Sequence, residues 1–539
     1  MKRRTFLGTI PALLASGCAP RGAPPLPPGE LLGTRHPLGH RLRDASLPAP
    51  TEEHRSEVVI VGAGIGGLSA SWRLLRAGFT GFELIEMEAQ PGGNSRWGEN
   101  AVSAFPWGAH YVTLPSRESR AVRRLLADLG VLQGDPESAV PRYDERYLCF
   151  APQERLYYRG SWHEGLVQPD RDGRHGRQEW QRFLGRMEVL RRARGSDGRR
   201  AFAVPMELSS RDPRWRALDT VSMRDWLHSE GYVEETVHWG VNYACRDDFG
   251  CSYDQVSAWA GIHYFAGRDG LAEHSDPEAV LTWPEGNGWI VRRMLERWPA
   301  PRTSNAMAFR LLPSRRGVSL DAYLPAEDRS VRIHARQVIW AAPLALAARA
   351  LGAGHDGLAA ALRGFDQAAW LSANLTLSAV PQDRHGAPLA WDNVLHDSPS
   401  LGYVVATHQH RTGHTGPTVI TYYLPLTEEA PAAARARLLN TSRESWADAI
   451  LGELSRPHPE IRETCRHLDV FANGHAMVRP RPGLLWGPAR QRAGQGLPNL
   501  HFAHADVSGM SLFEEANYRG VAAAEKVLRA LGVRSESLL

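Results

Sequence analysis

The run Gly62-Ala63-Gly64-Ile65-Gly66-Gly67 has the spacing G-x-G-x-x-G, and a carboxylate, Glu86, stands 19 residues beyond Gly67. Gly62 permits a tight turn, and Gly64 lets the backbone come against a pyrophosphate. Gly67 lets the following helix pack closely, with its N-terminal N–H groups facing the phosphate charge. At that distance Glu86 can accept from both hydroxyls of a ribose, which favours an adenosine with a free 2′-OH over one carrying a 2′-phosphate. Dinucleotide binding is the chemistry these residues predict.

Other reactive side chains are less regularly placed. His475 is a candidate proton acceptor, because an imidazole titrates near neutrality, or else a hydrogen-bonded core histidine. Asp247 and Asp248 either attract a cation at a cleft mouth or form a solvated acidic turn. His408 and His410 are spaced to share a strand face, with His414 close by, but no cysteine or carboxylate completes a ligand set, so an exposed hairpin loop is the favoured reading and no metal site is expected. The five cysteines are Cys18, Cys149, Cys245, Cys251 and Cys465, too scattered for a disulfide scaffold or a zinc ribbon. Cys245 and Cys251 could close a short disulfide loop in an oxidising compartment. The tract from Trp259 to Phe265 suits a cavity wall or a core segment.

The glycines require a strand before them and a helix after them. Val58–Val61 is a continuous apolar run, as expected for a parallel strand covered on both faces. Leu68, Trp72 and Leu75 then recur at helical spacing, Gly78 ends that helix, and Phe82–Ile85 forms a second strand closing on Glu86. Near the other end, residues 500–503 read as a strand, and 518–531 as a helix with Val521, Ala524, Leu528 and Leu531 on one face.

The 539 residues are 43% hydrophobic and 23% charged, which excludes a fibrous or wholly disordered chain. A formal net charge of +4 leaves no basic stripe, so nucleic acid is not an expected partner. Of 63 Lys and Arg residues only Lys2 and Lys526 are lysines. Pyridoxal and Schiff-base chemistry need a buried amine and are excluded, as is a P-loop, which needs Gly-Lys-Ser/Thr.

The first residues read as an address. A basic start, an apolar run from Phe6 to Ala15 too short to span a bilayer, and small residues before Cys18 have the layout of an export signal. Arg3-Arg4-Thr5-Phe6-Leu7 resembles a twin-arginine signal, whose translocase carries folded proteins. Ala15-Ser16-Gly17-Cys18 resembles a lipobox. The expectation is an export signal over 1–18, a Pro/Gly-rich tether over 19–53, and a periplasmic protein held at a membrane surface through lipidated Cys18. The alternative is a soluble exported protein.

Glu86-Met87-Glu88-Ala89-Gln90-Pro91-Gly92-Gly93 resembles the E-A-x-x-x-x-G-G stretch of the flavin amine oxidase superfamily, which includes phytoene desaturases and protoporphyrinogen oxidases. Trp107-Gly108-Ala109-His110 resembles its G-A-H segment, and Val338-Ile339-Trp340-Ala341-Ala342-Pro343 its V-I-x-A-x-P strand. Asp506, in Phe502-Ala503-His504-Ala505-Asp506, matches the acid of its closing F-A-G-[DE] motif. The resemblance implies an α/β fold in which a Rossmann-like FAD-binding domain (54–120, 281–345, 471–535) is interleaved with an α+β substrate domain (121–280, 346–470). It implies FAD contacts from Gly62 to Gly67, Glu86, Met87, Gly92, Gly93, Asn94, Arg96 and Asp506.

Departures accompany the resemblance. Asn94 stands where the superfamily usually has Arg, with Arg96 two residues later. Ala476 and Leu512 fall where monoamine oxidases carry an aromatic cage, and the lysine that holds a water at the flavin is missing. His475 falls where monoamine oxidases attach flavin covalently. His475, His110 and Trp340 are the catalytic candidates. The implied activity is hydride transfer from a small molecule, possibly an amine or polyamine, to flavin, with oxygen or a membrane acceptor taking the electrons. The alternatives are a desaturase or protoporphyrinogen-oxidase-like enzyme acting on an apolar substrate, and a flavin electron-transfer module.

Overall fold

The computed structural model describes residues 25–43, 47–167, 175–353, 355–382, 385–410 and 415–539. The export signal, Cys18 and His414 lie outside the described residues. Among the described residues, no helix is long and apolar enough to cross a membrane.

The first elements are β1 (Leu31–Gly33) and α1 (His36–His40), within the stretch expected to be a tether. They are packed on the body instead. β1 joins the edge of a sheet, with Leu31 opposite Val470, and Leu38 is buried with Met307 and Tyr323. One buried leucine among prolines leaves no periodicity to read, which is why the segment looked like linker.

β2 (Pro50–Val61), α2 (Ile65–Arg76) and β3 (Phe82–Ile85) form the expected βαβ unit, although β2 begins ahead of the boundary set at 54. Val58, Val59 and Ile60 are fully buried, because a sheet covered on both faces excludes water from every side chain of a central strand. Next come β4 (Tyr111–Thr113), β5 (Glu154–Tyr158), the helices α3 (Glu235–Phe249) and α4 (Ala258–Gly267), and β6 (Val280–Thr282), which pairs antiparallel with β4. Gly250 at φ +57 ends α3 in the left-handed region.

β7 (Arg329–Trp340) pairs with β2, so the nucleotide sheet gains its centre from mid-chain. A second, eight-stranded sheet holds β8 (Gln367–Leu377), β9 (Asp392–Leu395), β10 (Gly402–Val405), β11 (Thr418–Pro425) and β12 (Cys465–Val478), with β1 and β5 in the same array. Leu438, Trp446 and Ile450, from the two helices between β11 and β12, bury one face of this sheet. β13 (Leu500–Phe502) returns to the nucleotide sheet beside β7, and α5 (Phe513–Ala530) packs on α2.

Two expected boundaries move. Position 471 lies inside β12, which belongs wholly to the second sheet. Residues just after 120 form a helix whose Val122, Leu125 and Leu126 sit in the nucleotide core. Cys245 and Cys251 are both buried and free; Cys251 Sγ instead accepts from Arg479 Nε at 3.2 Å.

The nucleotide half is clamped by backbone contact. A Cβ on Gly67 would stand 1.8 Å from Gly62 O, one on Gly66 2.2 Å from Ala503 O, and one on Gly520 2.1 Å from Gly66 O. Gly520→Ala should therefore lower unfolding stability in urea by about 2 kcal/mol, within the range for overpacking a tight contact. An unchanged midpoint and slope would show that α2 and α5 are not this close.

Candidate active site

The turn after β2 is built as the glycine spacing requires. Gly62 has φ +98 and donates to Ile85 O at 2.8 Å. Gly64 caps α2 with extended backbone and no side chain, so nothing from the cap residue itself competes for the first-turn N–H groups that a phosphate would meet. Glu86 is 8% exposed and takes Ala63 N–H at 2.6 Å and Glu88 N–H at 2.8 Å. Burial raises its pKa despite those two donors. Gly92 and Gly93, at φ +126 and +57, lie against this turn, with Gly92 N–H donating to Ala63 O at 2.8 Å. Ile65 is buried as the first residue of α2, and Met87 packs with Leu38. These residues fit a dinucleotide whose ribose meets Glu86.

Asn94 and Arg96 are spoken for by protein partners. Asn94 Nδ2 donates to Ala476 O at 2.6 Å, and its Oδ1 accepts from Asn473 at 3.1 Å, clasping the glycine loop to β12. Arg96 donates to Gly93 O and Glu88, both at 3.2 Å, with its guanidinium 4.9 Å from the centre of the Phe471 ring. Asp506 is buried between Leu344 N–H at 3.0 Å and Gln367 Nε2 at 3.2 Å. Burial opposes its ionisation, yet His504 and the donors around it hold its pKa below the usual value. It ties the first residue of the helix after β7 to Gln367 of β8 and is not among the residues lining the cavity.

Beyond Gly93 and Asn94 a cavity of about 1170 Å³, counting its open mouth, runs between the two sheets. Its walls include His110, Tyr111, Trp370, Tyr423 and Phe513, with Ala476 and Leu512 where the cage residues would stand. The loop at 107–110 is held by Tyr423 Oη donating to Gly108 O at 3.0 Å and Ser372 Oγ donating to Trp107 O at 2.8 Å. Of the catalytic candidates, only His110 is on the cavity wall. Its ring stacks on Tyr423 at 4.5 Å, and burial lowers its pKa to about 4, so it is neutral at pH 7.

Trp340 and His475 are corrected. Trp340 is 1% exposed in the nucleotide core and donates to Pro343 O at 3.3 Å. His475 is exposed and off the cavity wall. The register of β8 against β12 jumps from Trp370↔Asn473 to Ala368↔Met477, and this bulge breaks the alternation that would have aimed residue 475 inward.

The acid pair Asp247 and Asp248 stands here as one of its two sequence readings expected, with tyrosines and further acids that the sequence did not single out. Tyr111 Oη donates to Asp247 at 3.1 Å, and Arg268 pairs with Asp248. Farther along, Asp392 on β9 stands in register with Glu154 on β5 and accepts from Tyr243 Oη at 3.4 Å. Burial and Asp248 raise Asp247 to about 6, against Arg268 and Tyr111. Burial and Glu278 raise Glu154 to about 7, and burial with Asp247 and Glu154 raises Asp392 well above the carboxylate range. Four buried polar atoms of cavity residues have no hydrogen-bond partner: Asp248 Oδ2, His263 Nδ1, Asn287 Oδ1 and Trp370 Nε1. Unpaired buried groups of this kind are uncommon in folded proteins, and they cluster at this wall. Asp247 and Asp248 were visible as a pair in sequence; Asp392 and Glu154 gave no signal, because strand pairing alone brings them together.

A family model for NAD(P)-binding Rossmann-like domains matches residues 60–129. A search of curated proteins returns no match. Among solved structures, putrescine oxidase bound to putrescine superposes with a TM-score of 0.65 at 16% identity, over 88% of this chain and 100% of that one. Cyclohexylamine oxidase from Brevibacterium oxydans IH-35A gives 0.62 at 14%, over 88% and 99%. The CLA-producing fatty acid isomerase from P. acnes gives 0.59 at 14%, over 88% and 98%. The chain has their fold. It is a mixed α/β fold with a Rossmann-like dinucleotide domain, as the glycine fingerprint and the chain-end elements predicted.

Glu86→Ala removes the anchor of the Ala63 turn; the expectation that Glu86 meets the ribose of FAD predicts FAD binding weaker by at least about tenfold, or ~1.4 kcal/mol. Equilibrium dialysis of FAD against both proteins checks this, and equal affinities would remove Glu86 from the site.

Proposed function

We propose that the protein is an FAD-dependent oxidoreductase that oxidises an amine. The observation that carries this reading is the cavity wall, where Asp247 and the unpaired Asp248 Oδ2 stand among aromatic rings next to the glycine cradle. A carboxylate pair with one arginine attracts an ammonium group, and Tyr423, Trp370 and Tyr111 supply ring faces that favour a cation where water is excluded. Bound FAD would supply the hydride acceptor. The chain's own residues then hold the substrate, exclude water and accept a proton. Asp247 is the better acceptor, because its pKa of about 6 lies nearer neutrality than the value of about 4 at His110. Glu514 is a third carboxylate on the same wall, which favours a diamine or polyamine over a monoamine.

No lysine takes part: Lys526, the one lysine among the described residues, is exposed on α5. The reading includes export by the twin-arginine route to the periplasm, supported by Arg3, Arg4 and the short apolar run, and attachment to a membrane surface through Cys18. Oxygen or a membrane acceptor would take the electrons.

The test is the visible spectrum of the purified protein as amines are added without oxygen. Bleaching of bound flavin by a diamine supports the proposal; a persistent oxidised spectrum with amines, and bleaching by an apolar polyene, contradicts it. Asp247→Asn should raise KM for the amine by about tenfold or more, as expected for loss of one partner of an enclosed charge pair. Affinity should also depend on pH in one direction. Asp247 gains a proton as pH falls through about 6, so the ammonium loses its counter-charge and KM rises on the acid side. A KM independent of pH from about 8 to about 5 would exclude this carboxylate from binding.

A further inference from the structure

The segment ahead of β2 makes two sets of contacts on opposite sides of the cofactor groove. On one side it is stitched to the start of β12: Leu468 N–H donates to Pro28 O and Val470 N–H to Glu30 O, both at 2.9 Å, and Glu30 N–H donates to Asp469 Oδ1 at 2.8 Å. The same strand later carries Asn473, Ala476 and Met477 on the cavity wall. On the other side it reaches the end of β3. Arg35 N–H donates to Glu88 Oε1 at 2.8 Å, and Arg35 Nη1 donates to Asn305 Oδ1 at 2.6 Å and Met87 O at 3.3 Å. Arg41 donates to Tyr323 Oη at 2.7 Å with its guanidinium over that ring. Gly39 lies on Met87, where a Cβ would meet Sδ at 3.7 Å.

Glu88 links this segment to the ribose acid. Its own N–H donates to Glu86 Oε1 at 2.8 Å, while its carboxylate holds both Arg35 and Arg96. We infer that residues 28–43 form a clasp that completes the adenosine end of the cofactor site and governs how fast the cofactor leaves. The inference rests on the FAD reading above. α1 has only five residues, too few to persist as an isolated helix, so the clasp is ordered by what it touches and opens by peeling from Met87 and Glu88. Linkage makes the effect mutual: a clasp that retains the cofactor is itself held down by the cofactor.

Two measurements on the full chain test this. Flavin released on dilution is followed by the rise in its fluorescence, for the wild type and for Arg35→Ala combined with Leu38→Ser. Release from the double variant should be at least about tenfold faster, and Arg35→Lys combined with Leu38→Ser should restore part of the difference, because the amine can still donate to Asn305 Oδ1 or Met87 O. Trypsin cleavage after Arg35 and Arg41 in the wild type should slow several-fold when FAD is added, a readout that needs no variant to fold. Flavin bound by the wild type but released at equal rates from both proteins, or cleavage indifferent to FAD, overturns the clasp alone. A wild type that binds no flavin overturns the cofactor reading with it.

Discussion

Everything at the cofactor site depends on how closely backbone meets backbone around the first turn. Gly62, Gly66, Gly67 and Gly520 stand where any side chain would collide with a carbonyl oxygen or a peptide nitrogen within about 3 Å. That approach puts the start of α2 beneath the ends of β2, β7 and β13, and it leaves Glu86 within reach of Ala63 N–H. The Gly92–Gly93 loop lies against the turn through Gly92 N–H and Ala63 O, and Asn94 reaches β12. The second sheet is thereby joined to the first through a clasp of amides, and the cavity is the space that this junction leaves open.

The chemistry of that space follows from an imbalance of charge. Asp247, Asp248 and Glu514 line the cavity with a single arginine, Arg268, and outside that lining Asp392 and Glu154 form a second acid pair, with Asp247 acting on Asp392. Burial of carboxylates without counter-ions destabilises a fold, and the raised pKa values express that cost. With four buried polar atoms unpaired beside these groups, the cavity wall is polar as well as aromatic.

The sequence made the nucleotide half legible because its signals are local. Strand, glycines, helix and acid lie within about 30 residues, the length of one βαβ unit, and the elements at 500–503 and 518–531 carry their own periodicity. The second half was harder for physical reasons. Trp340 looked reactive in a motif, yet it ends a strand covered on both faces and so is core. His475 lay at an apt position, but a bulge turned it outward. Asp392 and Glu154 are far apart in the chain and meet only through strand register. Residues 28–43 read as linker because their anchors are hydrogen bonds to distant residues, which leave no pattern in the segment itself.

The claim on which the rest stands is that the cradle from Gly62 to Glu86 holds FAD. The most direct measurement is to purify the protein, record its visible spectrum, denature it, and identify and count the dinucleotide in the supernatant. The account predicts flavin absorption from the native protein and one FAD released per chain. A nicotinamide dinucleotide in its place, or a colourless protein that stays colourless after incubation with FAD, would contradict it.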